Sequence, residues 1–379
     1  MNERLIAQAR AVKAAAREVG RASDDRRRAV LAHAADTLDT GADEILAVNA
    51  HDVANYTESG PGRDRLTLTE ARLAGMSGAL REIAASPDPL GEVVDEGVRP
   101  NGLAVAKVRV PLGVVGVVYE NRPNVTSDVA GLCVRSGNAA FLRGSASAQA
   151  SNAAVAAVFA AALEKEGLPP AAVTLVEDPS HDAVREFMGL SDYIDCLIPR
   201  GGPSLIAAMR EHARVPYVLD GDGNCHVYVD AAADLDMAVA ITVNAKTSRP
   251  GVCNAAETLL VHRGVAAAFL PRLADAMPHV QLRADDEARA LIPGALAATE
   301  DDYAREFLDL VMAVRVVSSL DEAVDHVARY GSGHSEAIVT GDAAAADDWV
   351  ARVDAAAVLV NASTRFIDGG ELGLGGEVG

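Results

Sequence analysis

Apolar positions between residues 2 and 50 recur three and four apart between charges and predict amphipathic helices, the second with Ser23-Asp24 as its cap. From 88 to 112 the period shortens to two. Apolar and polar residues alternate on either side of Pro100-Asn101-Gly102, which predicts a β-hairpin over 92–111 closed by an Asn-Gly turn. Beyond Pro111, short and largely β-branched runs at 113–119, 139–142, 173–176, 193–198 and 215–219 alternate with helical patterns at about 127–137, 147–165, 180–190 and 203–212. A second cycle puts helices at 234–246, 264–276, 320–330 and 343–353 and strands at 258–261, 313–317 and 337–339. Between its first helix and first strand lies a Pro-Gly loop that carries Cys253.

Short buried strands separated by helices of this length indicate parallel sheets covered on both faces, an α/β fold class. Two cycles imply two domains with a cleft between them. The first is expected from 1–91 and 112–230 and the second from 231–366, with the hairpin 92–111 as a separate element. An isolated hairpin is marginally stable, so this one should pack on something else, a partner subunit being one choice. Ligands of such sheets are expected at the carboxyl ends of the strands.

Among 379 residues, 50% are hydrophobic and only 4% aromatic, so aliphatic side chains must fill the interior. The formal charge of -20 excludes a nucleic-acid partner, which calls for a basic face, and disfavours an anionic membrane. Recognition of an anionic substrate must then come from local Arg, Lys and backbone N–H groups. Cys133, Cys196, Cys225 and Cys253 form no Cys-x-x-Cys pair, so neither a zinc site nor a redox couple is signalled, and no metal is expected. The N-terminus lacks a signal-peptide core, and the longest apolar run, 153–163, is too short for a bilayer. These features read as a cytoplasmic, reducing setting with four free thiols.

Loops held by a rigid scaffold are where nucleophiles are placed, and Lys246 and Arg249 stand near Cys253 in sequence. A thiol of pKa ~8.5 is about 3% ionised at neutral pH, and lowering it by ~1.5 units takes ~2 kcal/mol of environment. Judged on its own, a single cysteine is more often a small buried hydrophobe than a nucleophile.

The chain resembles the gamma-glutamyl phosphate reductases, a branch of the aldehyde dehydrogenase superfamily. The resemblance runs through 110–126 with Glu120-Asn-Arg-Pro-Asn124, 137–144, 197–202 with Pro199-Arg-Gly-Gly202, 225–230, 244–262, 334–338, and 360–366 with Asn361-Ala-Ser-Thr-Arg365. It implies an aldehyde dehydrogenase-like fold of two Rossmann-like domains with an oligomerisation hairpin. It also implies reduction of L-glutamyl 5-phosphate by NADPH through a thioester on Cys253 in a homo-oligomer, with a glutamate 5-kinase as a candidate partner whose docking the sequence leaves open. Where hydrolytic members carry the glutamate that activates water, ungapped alignment puts Leu219, or Asp220 if it slips by one position.

Further roles follow from the resemblance. The backbone N–H of Cys253 and the side chain of Asn124, in the loop after strand 113–119, are expected to hold the oxyanion, although Asn124 also reads as a turn residue. No Gly-x-Gly-x-x-Gly is placed for a dinucleotide, and the superfamily binds its cofactor in an atypical way. Arg200, Gly201 and Gly202 follow a strand and open a helix, where phosphate can approach the N-terminus. Arg143, Gly144 and Ser145 have the same context, with Arg143 toward the adenosine ribose and its 2′-phosphate; both loops also read as plain strand-to-helix turns. Glu306 is expected at the nicotinamide ribose. Arg122, Lys246, Arg249, Arg365 and His334 are candidates for binding substrate, and His226 reads as a core histidine. The segment 367–379 is expected to begin a C-terminal stretch that relatives carry further. Two other readings share the pattern: a CoA-acylating aldehyde dehydrogenase, and a non-catalytic protein that keeps the fold.

Overall fold

A computed structural model describes residues 2–57, 62–219 and 222–372. Asp220 and the residues 373–379 of the expected terminal segment lie outside the described residues. The chain divides into two compact units near residue 220, ten residues before the expected boundary. The cause is the strand Cys225–Val229, which pairs with strands of the second unit on both sides.

The first unit begins with helices Glu3–Val19 (α1), Asp24–Thr40 (α2), Ala42–Asn55 (α3), Gly62–Leu66 (α4) and Glu70–Ala85 (α5). Ser23 caps α2 as its sequence predicts, its hydroxyl accepting the Arg26 N–H. The hairpin forms from Val93–Val98 (β1) and Ala104–Val108 (β2), antiparallel and exposed along its whole length. Its turn differs from the expectation. The Gly102 N–H donates to the Arg99 carbonyl at 2.8 Å, so Pro100 and Asn101 are the central residues and Gly102, at φ +84°, follows them. A two-residue Asn-Gly turn would need Pro100 to donate a backbone N–H to the Leu103 carbonyl, which proline lacks, and the Arg99 N–H makes that bond instead at 2.8 Å.

The unit continues as Val114–Tyr119 (β3), Pro123–Arg135 (α6), Ala139–Arg143 (β4), Gln149–Lys165 (α7), Val173–Leu175 (β5), His181–Met188 (α8), Cys196–Arg200 (β6) and Pro203–His212 (α9). The strands run parallel in the order β5-β4-β3-β6, with every residue of β3 and β4 buried. Helix α6 starts four residues earlier than its apolar period suggests because Pro123, in the first turn, needs no partner for an N–H. The run 215–219 forms only one bridge, Leu197 to Tyr217, since Pro216 interrupts it. The stretch Ala146–Lys165 is long and apolar enough to cross a membrane, contrary to the shorter run counted from sequence. Its Val155, Phe159 and Leu163 lie in the core cluster of this unit, which accounts for that composition.

In the second unit the order is Cys225–Val229 (β7), Leu235–Thr247 (α10), Ala256–His262 (β8), Arg263–Ala276 (α11), Gln281–Ala284 (β9), Asp286–Arg289 (α12), Leu296–Ala297 (β10), Glu300–Tyr303 (α13), Val311–Val317 (β11), Leu320–Tyr330 (α14), Ser335–Val339 (β12), Ala343–Arg352 (α15) and Ala357–Val360 (β13). The strands lie parallel in the order β10-β9-β11-β8-β7-β12-β13. Alternation along β7 feeds two cores. Val227 and Val229 join Ala238 and Phe269 on one face, while Tyr228 joins Leu260 and Trp349 on the other.

Candidate active site

Cys253 sits in the loop from α10 to β8, partly exposed, whereas Cys133, Cys196 and Cys225 are buried. Burial pushes the Cys133 thiol up to about 12 and raises those of Cys196 and Cys225 as well. Several contacts fix the loop. A Cβ at Gly223 would fall 1.6 Å from the Cys253 carbonyl oxygen, so only glycine admits that approach. The Cys225 Sγ–H donates to the same oxygen at 3.2 Å. Asn254 donates to Asp368 Oδ1 at 2.6 Å and accepts from Arg365, which also pairs with Asp368 Oδ2 at 2.9 Å. Just beyond, Glu257 Oε2 accepts from Lys246 Nζ at 2.7 Å, and neither side chain is exposed.

Other groups converge on the residues that precede β7. The Gly223 N–H donates to Glu306 Oε1 at 2.9 Å, and the Asn224 amide donates to the carbonyls of Tyr303 and Tyr330, each at 2.7 Å. His334 Nδ1 lies 2.8 Å from Ser335 Oγ and 3.7 Å from Cys225 Sγ. Cys253, Glu306 and His334 therefore gather at the amino ends of β7, β8, β11 and β12. The sequence reading placed the loops of interest at carboxyl ends, and in this unit that is corrected: each of these residues precedes its strand.

Two substrate cations expected from sequence serve the fold instead. Lys246 is fully buried against Glu257, so its ammonium presents nothing to a ligand. Burial lowers the Lys246 pKa and raises that of Glu257, each change opposed by the other partner. The Arg365 charge is spent on Asp368 and Asn254. Arg249 is exposed within the loop. His226 is the core histidine expected, with its Nδ1 2.9 Å from Glu336 Oε2 and both side chains buried.

In the first unit the candidates follow strands. Asn124 lies in the first turn of α6 rather than in a loop; it is exposed and donates to Asp128 Oδ2 at 3.0 Å, while Arg122 is the residue before the helix. Burial pushes the Asp128 carboxyl up to about 6 against the opposing pull of Asn124 and Arg200. Arg143, expected at a 2′-phosphate, is buried, and its guanidinium donates to the carbonyls of Pro179 and Ser180. That engagement ties β4 to the start of α8 and corrects the expected role. Gly144 is required by Asn152, whose Nδ2 would lie 2.1 Å from an added Cβ. Ser145 donates to Asn121 Oδ1 at 2.6 Å. Gly201 abuts Glu120, whose Oε1 accepts the Gly202 N–H at 3.2 Å, and a Cβ at Gly202 would meet nothing within 4 Å. That open turn, with Arg200 before it and α9 after it, fits the approach of a dinucleotide phosphate. Leu219 packs against the apolar core of its own unit.

Gly223, Cys225, Asn254 and Glu257 were not singled out in the sequence. Glu257 had a usable signal, as a single charge inside the otherwise largely apolar run 255–261 that follows the cysteine loop.

The aldehyde dehydrogenase family profile matches residues 2–307. The gamma-glutamyl phosphate reductase of Moorella thermoacetica is 52% identical over 375 residues, covering 98% of this chain and 90% of that protein. That of Xanthomonas campestris pv. campestris is 50% identical over 370 residues, 96% and 89% of the two. A crystal structure of the Thermotoga maritima gamma-glutamyl phosphate reductase superposes with a TM-score of 0.93 at 41% identity, covering 99% of this chain and 92% of that one. The chain thus belongs to the aldehyde dehydrogenase family, the class that its parallel sheets and displayed thiol define. Within it the chain falls in the gamma-glutamyl phosphate reductase branch, an oxidoreductase working with a nicotinamide cofactor.

Proposed function

We propose that the chain reduces L-glutamyl 5-phosphate to L-glutamate 5-semialdehyde and inorganic phosphate with NADPH, the second step of proline biosynthesis from glutamate. The observation that carries this reading is Cys253, the partly exposed thiol of the four, on a loop whose carbonyl and flanking residues are fixed. Its thiolate attacks the acyl carbon. Phosphate leaves with the electron pair of the C–O bond, and a thioester remains on the sulfur. Dividing the displacement in this way replaces one hard step by two easier ones. NADPH supplies the hydride that reduces the thioester carbonyl. Release of the aldehyde returns the thiolate.

The chain's own groups divide the remaining work. The Cys253 N–H and the second amide proton of Asn124 are the proposed oxyanion donors, worth roughly 3 kcal/mol each in comparable sites. Arg249 and Arg122 are proposed to meet the phosphate and carboxylate of the substrate. His334 is assigned to the substrate side of the site. The turn Arg200–Gly202 and Glu306 would hold the cofactor, its phosphates and nicotinamide ribose respectively. Leu219, in place of a base, leaves the thioester without activated water. The exposed hairpin is proposed to bind a partner subunit in a homo-oligomer, and the reaction to run in the reducing cytoplasm with substrate passed from the kinase that forms it.

Reduction of NADP+ by glutamate 5-semialdehyde tests the reading. It should require inorganic phosphate, should not be supported by CoA, and should vanish in Cys253→Ala. Turnover with CoA in place of phosphate would support the acylating reading instead.

A further inference from the structure

A buried ion pair beside a nucleophile loop needs a reason, because a well-packed apolar pair of similar volume is usually as stable or more so. Lys246 closes α10 and Glu257 lies near the start of β8, so the pair spans the two ends of the Cys253 loop. The second oxygen of Glu257 does something an apolar side chain cannot. Its Oε1 accepts the backbone N–H of Leu308 at 3.1 Å. Leu308 has φ +54°, and only it and Asn361 among the described non-glycine residues take a positive φ. That conformation is unfavourable for an L-residue and persists only when its surroundings hold it.

Two residues earlier is Glu306, whose Oε1 accepts the Gly223 N–H, and Gly223 is the residue pressed against the Cys253 carbonyl. The contacts form a closed circuit from the nucleophile through Gly223, Glu306, Leu308 and Glu257 back to the nucleophile loop. We propose that Glu257 is a positioning residue: it holds the Leu308 turn so that Glu306 and Cys253 keep one fixed relation, and Lys246 compensates its charge. This inference rests on the reading that Cys253 is acylated and that Glu306 meets the cofactor.

The test separates the structural worth of the pair from its positioning role. Lys246→Met with Glu257→Met removes both charges and preserves packing volume. It should keep the wild-type melting temperature and the alkylation rate of Cys253 by iodoacetamide, yet raise the KM for NADP+ about tenfold or more, because small misplacements near a reacting centre have effects of that size. Lys246→Met with Glu257→Gln restores an oxygen for the Leu308 N–H without a buried charge, and should return KM to near wild type. A wild-type KM in the Met/Met variant would overturn the proposal. If that variant fails to fold, Leu308→Gly takes its place: glycine accepts the φ without strain but loosens the turn, and KM should again rise. An unchanged KM there would also overturn it. Mass analysis of wild type after semialdehyde and NADP+ without phosphate distinguishes the two levels. Absence of an acyl group there defeats the reading of Cys253, whereas its presence with an unmoved KM defeats only the role of Glu257.

Discussion

In the first unit the loops of interest leave the carboxyl ends of β3, β4 and β6, whereas in the second they enter the amino ends of β7, β8, β11 and β12. The two edges are also built differently. At the first, most motif residues are satisfied within their own turn: Gly144 makes room for Asn152, Gly201 for Glu120, and Arg143 clamps the turn at 179–180. Gly202 alone of these turn glycines faces open space. At the second edge, separate segments converge on one loop, and the constraints on Cys253 come from residues 30 positions before it at Gly223 and over a hundred after it at Asp368. A glycine or arginine in a strand-to-helix turn therefore says little about ligands until the space beside it is known. A backbone approach that only glycine permits says much more.

That contrast can be broken at its strongest point with Gly223→Ala. The added methyl cannot coexist with the Cys253 carbonyl, so kcat should fall by about 100-fold and Cys253 alkylation should slow. Activity within twofold of wild type would show that the loop is not held there. A smaller effect is expected at the first edge. Arg143→Ala removes a buried guanidinium that donates to the Pro179 and Ser180 carbonyls and should cost about 2 kcal/mol in urea unfolding, with the ratio of NADPH to NADH affinity unchanged. A selective loss of NADPH would return Arg143 to the 2′-phosphate.

The smallest effect is one of pH. Burial raises the Asp128 carboxyl to about 6, so the folded state binds a proton more readily than the unfolded chain. Its favourable contribution is complete below the unfolded value of ~3.8 and lost as pH rises through 6. Asp128→Asn should accordingly gain stability relative to wild type between pH 4 and pH 7.5, measured by urea midpoints at both. A difference that stays constant with pH would contradict the buried carboxyl.

Much of the framework was legible. The strands β3, β8, β11 and β12 announce themselves by β-branched residues, β4 by its short apolar run, and the helices between them by their period, whereas β7 was not among the expected strands. The strands β9, β10 and β13 have two to four residues each, too few to display a period, and were missed. Two errors trace to proline: Pro100 forbade the expected hairpin turn, and Pro216 reduced a strand to a bridge. At the site, Cys253 was found by its loop and its resemblance. The cations were harder, because a sequence shows that Lys246 and Arg365 are charged but not that Glu257 and Asp368 neutralise them. Contacts between positions 111 residues apart, such as Arg365 with Asn254, leave no local pattern.

The most direct test of the account is the mass of the intact protein, with peptide mapping, after exposure to glutamate 5-semialdehyde and NADP+ in the absence of phosphate. The account predicts one glutamyl group per chain, located on Cys253 and discharged when phosphate is added. An active protein that carries no such adduct, or carries it on another residue, would contradict it.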